Sequence, residues 1–218
     1  FLSDNVNPWD ALRIHQGALL RMSPGRFARW ACLRSVGNLV PRSGTPVDQS
    51  AVTFITPSGS GATWDSSETT NLDFAVRVSL PGVFGLSGDI AGLPSEALVR
   101  LGNHVDFSKK WRPFIAGSVA HLLTRPKPKG DRSGWIGIQL SNPNQNESLV
   151  FAYRLDDPDN RKSFRLRGLN RELAYRAEST DAGTGSEGKP AGVSCANGIL
   201  NVSLNARNTA AVFVVRSQ

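Results

Sequence analysis

Apolar positions in the first half of the chain follow a helical rhythm broken by short apolar runs. Trp9, Leu12, Gln16, Leu19 and Leu20 recur at near-helical spacing, which predicts a helix from 8 to about 22. Asn7 is placed to cap it, Pro8 suits its first position, and Asp10 lies in the first turn, where a carboxylate complements the helix dipole. Ser23-Pro24-Gly25 ends it. Residues 1–5 are apolar first and polar last, as at the tail of a buried strand entering a loop. Phe27 to Val36, with Trp30, Cys32 and Leu33, reads as a second strand. Residues 37–68 are rich in Gly, Ser, Thr and Pro, and read as a long loop with a β-prone island at Val52–Ile55. A helix is expected from Thr70 through Leu80, and Pro81 to Leu86 is a third buried strand ending at Ser87-Gly88-Asp89. A further helix is expected from about 94 to Trp111, with Leu98, Leu101, Val105 and Trp111 on one face and Pro113 as its stop.

After residue 117 or so the rhythm shifts to alternation. Strand-like runs fall at Trp135–Leu140, Leu149–Arg154, Ser163–Arg167, Ala174–Ala177, Ile199–Leu204 and Ala210–Val215. Turn signals separate them, at Asp156–Asn160, Gly168-Leu169-Asn170 and Asn197-Gly198. The fold class is therefore α/β followed by all-β. Residues 1–116 alternate strand and helix as in a parallel α/β architecture, and 117–218 form an antiparallel β-sandwich of roughly six to eight strands. A parallel sheet limited to the strands of 1–116 would keep raw edges and could not close into a barrel.

Composition narrows the classes. Hydrophobic content of 39% and charged content of 20% are ordinary for a globular protein. No apolar run approaches the length needed to span a membrane, so no membrane partner is expected. The net charge is +7, which raises a nucleic-acid reading. The basic residues are scattered, however, apart from Arg161–Arg167 and a Pro-interrupted run, Arg125–Arg132, that reads as a solvated loop; no nucleic-acid partner is expected. Cys32 and Cys195 lie far apart without neighbouring His, and are read as free buried thiols. His15, His104 and His121 are scattered, so neither a metal site nor a cofactor is expected. The chain opens at Phe1 and not Met, so either its start was removed or it is a piece of something longer; neither a cytoplasmic nor a secreted location is indicated.

In parallel α/β folds chemistry collects at the carboxyl ends of the strands. The first predicted strand end offers Ser3, Asp4 and Asn5, the second Arg34, Ser35 and Asn38, and the third Ser87 and Asp89. Asp4 could instead serve as a turn or cap residue, but Asn7 is better placed to cap. Asp10 and Arg13 are read as structural, as a dipole partner and an ion-pair partner.

Ser3-Asp4-Asn5-Val6-Asn7-Pro8-Trp9-Asp10-Ala11-Leu12-Arg13 resembles the Ser-Asp-Asn-x-x-Pro-x-Asp-x-x-Arg stretch of the melibiase-type α-galactosidases of glycoside hydrolase family 36. Three further blocks are similar to that family in the same order. These are Gly82–Ile90, like its last barrel strand, Lys109–Ile115, like the end of its last barrel helix, and Leu166-Arg167-Gly168-Leu169 with Tyr175-Arg176, like its terminal sandwich. The resemblance implies that 1–116 are the last three units of a (β/α)8 barrel, incomplete here, and that the mechanism is retaining. One aspartate would be a nucleophile within Lys-Trp-Asp, and the other, mapping onto Asp4, the general acid/base. No Lys-Trp-Asp occurs in the chain; Lys110-Trp111 is followed by Arg112. The nucleophile is therefore expected upstream, and the chain alone is expected to be inactive. Asn5, Arg34, Trp64 and Asp89 are the substrate-binding candidates, with Trp64 offering an aromatic face to a sugar. Trp30 and Trp135 are read as core.

The implied ligand is an α-galactoside or related oligosaccharide, and a homo-oligomeric parent enzyme is compatible with this reading. Two alternatives remain at this stage. One is a non-catalytic carbohydrate-binding module working through the sandwich. The other is a transglycosylase or α-N-acetylgalactosaminidase of the same family.

Overall fold

The structure is a computed structural model of the chain. It describes residues 8–24, 26, 34–39, 51–56, 66–82, 84–88, 90–91, 93, 95–142, 144, 146–170, 172–180 and 192–218, and for 34–39, 51–56, 66–71, 84, 87–88 and 96 it describes the backbone. Helix α1 is Pro8–Leu19. Strand β1 (Arg34–Leu39) is followed by β2 (Ala51–Thr56) and β3 (Ser66–Asn71), then by helix α2 (Leu72–Ser79), strand β4 (Phe84–Gly88) and helix α3 (Ser95–Gly117). The chain continues as β5 (Val119–Leu122), β6 (Trp135–Asn142), β7 (Glu147–Arg154), β8 (Arg161–Arg165), β9 (Tyr175–Ser179), β10 (Gly192–Ala196), β11 (Ile199–Ser203) and β12 (Thr209–Ser217). No helix among the described residues is long and apolar enough to cross a membrane.

β1 and β4 pair in parallel, with a register irregularity between Ser35 and Asn38. The connection between them contains an antiparallel hairpin, β2 with β3, followed by α2. The island at Val52–Ile55 is thus the middle of β2, and β3 occupies the end of the stretch read as a long loop. Loop and hairpin share polar, β-branched composition here, and pairing across the hairpin decides between them. The first predicted strand, 1–5, lies outside the described residues.

The C-terminal strands form a five-stranded antiparallel sheet, β5-β6-β7-β12-β9, and a three-stranded one, β10-β11-β8. The larger sheet is covered on both faces. Ile136, Ile138, Leu140, Leu149, Phe151, Tyr153 and Val212 join a core with Trp9, Leu12, Phe74, Val76, Leu101 and Trp111 from the helices. The alternate residues Trp135, Val150, Ala152, Phe213 and Val215 join a second core with Phe164, Leu200 and Val202 from β8 and β11. Period-two alternation explains this sorting, since successive side chains leave opposite faces of a strand. Gly137 faces the second core, where a Cβ would lie 2.6 Å from the Phe164 ring, so β6 and β8 approach this closely only because a glycine is there. The β10–β11 turn is Asn197-Gly198, both at positive φ (52° and 71°), as the turn signal predicted.

Some expected details change. α3 runs through Pro113 to Gly117 and does not stop before it. Trp111, Phe114 and Ile115 are all buried, and this packing outweighs the lost hydrogen bond and ring clash of an internal proline. The inward face of α3 is Ala97, Leu101, His104, Phe107 and Trp111, while Leu98 is exposed. α1 stops at Leu19, and Leu20 is exposed. Strands β5 and β10 are too short and too sparsely apolar to stand out in the sequence.

Candidate functional site

β1 and β4 bring their carboxyl ends together: Asn38 pairs with Ser87, and Leu39 with Gly88. This is the end of a parallel sheet at which ligands bind. Arg34 is the first residue of β1, opposite Phe84, at the far end of the strand from Asn38. The apolar run 27–33 suggests an earlier strand with Arg34 near its carboxyl end; the pairing with β4 sets a later one, with Arg34 at its amino end. Asn38 and Ser87 hold the strand-end positions instead. Asp4, Asn5, Trp64 and Asp89 lie outside the described residues, as do Trp30 and Cys32. Asp89 directly follows Gly88, the last residue of β4.

Helix α1, which begins four residues after Asp4, is anchored by loops of the β-rich half. The Gly130 amide donates to Asp10 Oδ1 at 2.7 Å, so Asp10 makes a tertiary bond as well as facing the helix dipole. Arg13, nearly fully buried, donates to the Asp131 and Ser133 carbonyls at 2.9 and 2.8 Å, and its guanidinium lies 3.6 Å from the Asp131 carboxylate. Hydrogen bonds from Ser133 hold the Asp131 carboxyl below its usual range, helped by Lys127 and Arg13. Trp9 Nε1 donates to Asn208 Oδ1 at 2.8 Å, and the Arg132 guanidinium sits 4.3 Å from the Trp9 ring centroid. The run 125–132, expected to be a solvated loop, is exposed over 125–130 but docks on α1 through its last residues.

α2 is fixed by a charged cluster that the sequence reading missed. Asp73 accepts from Arg100 and, at 3.0 Å, from His104 Nε2, and lies 3.9 Å from Arg77. Burial alone would raise the Asp73 pKa, but the His104 hydrogen bond and the charges of Arg77 and Arg100 outweigh it and hold it down to about 2. Burial lowers the pKa of His104, and Arg77 and Arg100 add to this. Arg77 Nη1 donates to the Ala210 carbonyl at 2.6 Å, and Tyr153 Oη donates to the Arg77 carbonyl at 2.9 Å. The signal in the sequence was the i,i+4 spacing of Asp73 with Arg77 and of Arg100 with His104; that the two helices face each other is tertiary information.

The β8-β11-β10 sheet carries a second polar arrangement, also unforeseen. A groove of about 630 Å³ is lined by Arg161, Ser163, Ser194, Asn201 and Ser203 and also by Lys162, which pairs with the inward Val202. Cys195, on the same sheet, is free and half-buried, and burial raises its thiol pKa. Trp135 is core, with Nε1 donating to the Asp159 carbonyl at 3.0 Å. Among the described residues no group of three or more His, Cys, Asp or Glu could hold a metal ion.

No protein-family model matches the chain, and no curated protein matches its sequence. Solved structures do match in fold. α-Galactosidase AgaB of glycoside hydrolase family 36 from Geobacillus stearothermophilus superposes with a TM-score of 0.52 at 17% identity, covering 71% of this chain and 20% of that one. The galactosidase domain of the α-galactosidase–sucrose kinase AgaSK gives 0.52 at 16% identity, covering 71% and 20%. A variant of α-galactosidase AgaA from G. stearothermophilus in complex with stachyose gives 0.52 at 16%, covering 72% and 21%. The chain therefore resembles family 36 α-galactosidases in fold, and spans about a fifth of the length of these structures.

Proposed function

We propose that this chain is the C-terminal part of a retaining glycoside hydrolase acting on terminal α-galactosides. Residues 1–116 would be the last three units of its (β/α)8 barrel and 117–218 its terminal β-sandwich. The observation that carries the reading is the fold likeness to family 36 α-galactosidases over 71–72% of the chain, in a protein that also holds Ser3-Asp4-Asn5. The parallel pair β1–β4, joined through α2 and followed by α3, is compatible with barrel units.

Asp4 acts as general acid/base. It protonates the departing glycosidic oxygen, then takes a proton from the water that releases the sugar. A retaining enzyme sets its nucleophilic carboxylate roughly 5 Å from this group, and the neighbouring negative charge raises the acid's pKa. That nucleophile belongs to the Lys-Trp-Asp segment expected upstream, so the chain alone does not turn over substrate. Asn5 and Asp89 are the polar substrate contacts and Trp64 the stacking face; Arg34 is withdrawn in favour of Asn38 and Ser87.

The reading is tested first in the coding sequence before Phe1. It should encode Lys-Trp-Asp about two barrel units earlier, and the joined polypeptide should hydrolyse an α-galactoside such as raffinose while the chain alone does not. An unrelated domain in that position would overturn it.

A further inference from the structure

We propose that the connection between β5 and β6, centred on Gly130–Ser133, is a clasp that positions the amino end of α1 and with it the acid/base Asp4, which makes Asp10, Arg13 and Asp131 positioning residues for catalysis. The inference rests on the glycosidase reading and deepens it. α1 begins four residues after Asp4. Four residues reach roughly 14 Å at full extension, so whatever fixes the first turns of α1 bounds the placement of Asp4. Asp10, Arg13 and Gln16 recur every third residue and form one row along the helix. A single segment of chain meets that row. The Gly130 amide donates to Asp10 Oδ1 at 2.7 Å. Arg13 Nε and Nη2 donate to the Asp131 and Ser133 carbonyls at 2.9 and 2.8 Å. Gln16 Nε2 donates to Thr124 Oγ1 at 3.3 Å.

Burial separates this contact from a surface one. Arg13 is 4% exposed and Gln16 is fully buried. A guanidinium out of water is tolerated when its donors are satisfied. Arg13 has the two carbonyls, Gln16 Oε1 at 3.1 Å and the Asp131 carboxylate at 3.6 Å. Trp9, Leu12 and Leu19 already seat α1 on the core, but apolar contact is non-directional. The polar row fixes what such contact leaves free, rotation about the helix axis and sliding along it. The connection is itself braced. Asp131 Oδ1 accepts from the Ser133 amide and hydroxyl at 2.8 and 2.7 Å. From the other side, the Asp156 amide donates to the Arg132 carbonyl at 2.9 Å, and the Gly134 amide donates to the Asp156 carbonyl at 3.2 Å. Gly130, whose amide Asp10 accepts, takes φ 88°, a conformation open to glycine. A general acid works only within hydrogen-bond reach of the leaving oxygen, and small displacements lower its rate steeply.

The test uses the polypeptide that joins this chain to its expected Lys-Trp-Asp segment. Arg13→Lys keeps the charge and loses the fork, and Asp131→Ala releases the brace on Ser133. Each should lower kcat/KM for raffinose about tenfold through kcat, with KM held. Each should leave kcat/KM within about twofold for an aryl α-galactoside whose activated leaving group needs no proton. In the chain alone, amides 12–16 should exchange about tenfold faster in both variants. Val202→Ala, which hollows the second core away from α1, should leave the ratio between the two substrates unchanged. If Arg13→Lys does not fold, Asp131→Ala decides. Equal loss on both substrates, undiminished raffinose turnover, or unchanged exchange at 12–16 would each overturn the clasp. Leaving-group dependence in Asp4→Ala but not in the clasp variants would overturn the clasp alone. A parent polypeptide that does not hydrolyse raffinose would overturn the glycosidase reading, and the clasp's catalytic role with it.

Discussion

The two faces of the five-stranded sheet are built differently. Toward β8 and β11 it presents Val150, Ala152, Phe213 and Val215, with Trp135 edge-on to Phe164 at 6.2 Å between ring centroids. Apolar area and ring packing hold that interface together, and its main polar group, Gln139, bonds to the backbone of Arg167 at both ends of its amide. Toward the helices the sheet presents an equally apolar surface, but directional bonds cross it. Tyr153 donates to the Arg77 carbonyl, Arg77 donates to the Ala210 carbonyl, and the Asp73 cluster behind them ties α2 to α3. Apolar burial gives strength without orientation, whereas buried hydrogen bonds fix which groups must meet. The helix side thus has the means to hold α2 in one position against the sheet.

The sharpest way to break this contrast is Asp73→Ala, which leaves Arg77 and Arg100 without their carboxylate in a largely buried site. A loss of about 3–5 kcal/mol in denaturant unfolding is expected, together with a weaker acid dependence. In the parent chain the Asp73 pKa is about 2 against an ordinary 3.8, so its contribution is complete above about 4 and disappears as pH falls toward 2. His104 is depressed below 6.5, so the unfolded chain takes up that proton first, and stability already declines as pH falls through 6.5. Phe213→Ala on the opposite face should cost about 3–5 kcal/mol through cavity formation, with the acid profile unchanged. Matching acid profiles in the two variants would erase the distinction between the faces. Gly137→Ala drives a methyl into the Phe164 ring and Leu123, and should cost about 1–3 kcal/mol; a neutral result would mean that β6 and β8 are not as closely packed as described. Tyr153→Phe removes one buried donor, for about 1 kcal/mol, and unchanged stability would mean that the Arg77 carbonyl finds another partner.

Much of the β-rich half was legible in the sequence because its strands alternate cleanly. β6, β7, β11 and β12 fall where the apolar runs predicted, and Asn197-Gly198 forms its turn. β5 and β10 escaped because four or five residues of small or mixed polarity carry too little periodicity. Pro113 misled because a local penalty was weighed without the burial of Trp111, Phe114 and Ile115. Arg34 misled because pairing partners, which the sequence does not display, set where β1 starts. Of the candidate site, a strand before α2 and a strand after it were readable, while Ser3-Asp4-Asn5 lies outside the described residues. The Asp73–His104 contact and the Ser163–Asn201 hydrogen bond were not, since each joins residues far apart in the chain.

The most direct test of the functional account is the leaving-group dependence of Asp4→Ala in the polypeptide that joins this chain to its expected Lys-Trp-Asp segment. Hydrolysis of raffinose, whose leaving group needs a proton, should fall by about 10²–10⁴-fold. Formation of the glycosyl-enzyme from an aryl α-galactoside with an activated leaving group should fall far less, and added azide should accelerate release of the galactosyl group. Equal activity of variant and parent on raffinose, or an equal loss on both substrates with no azide effect, would contradict the assignment of Asp4 as the acid/base.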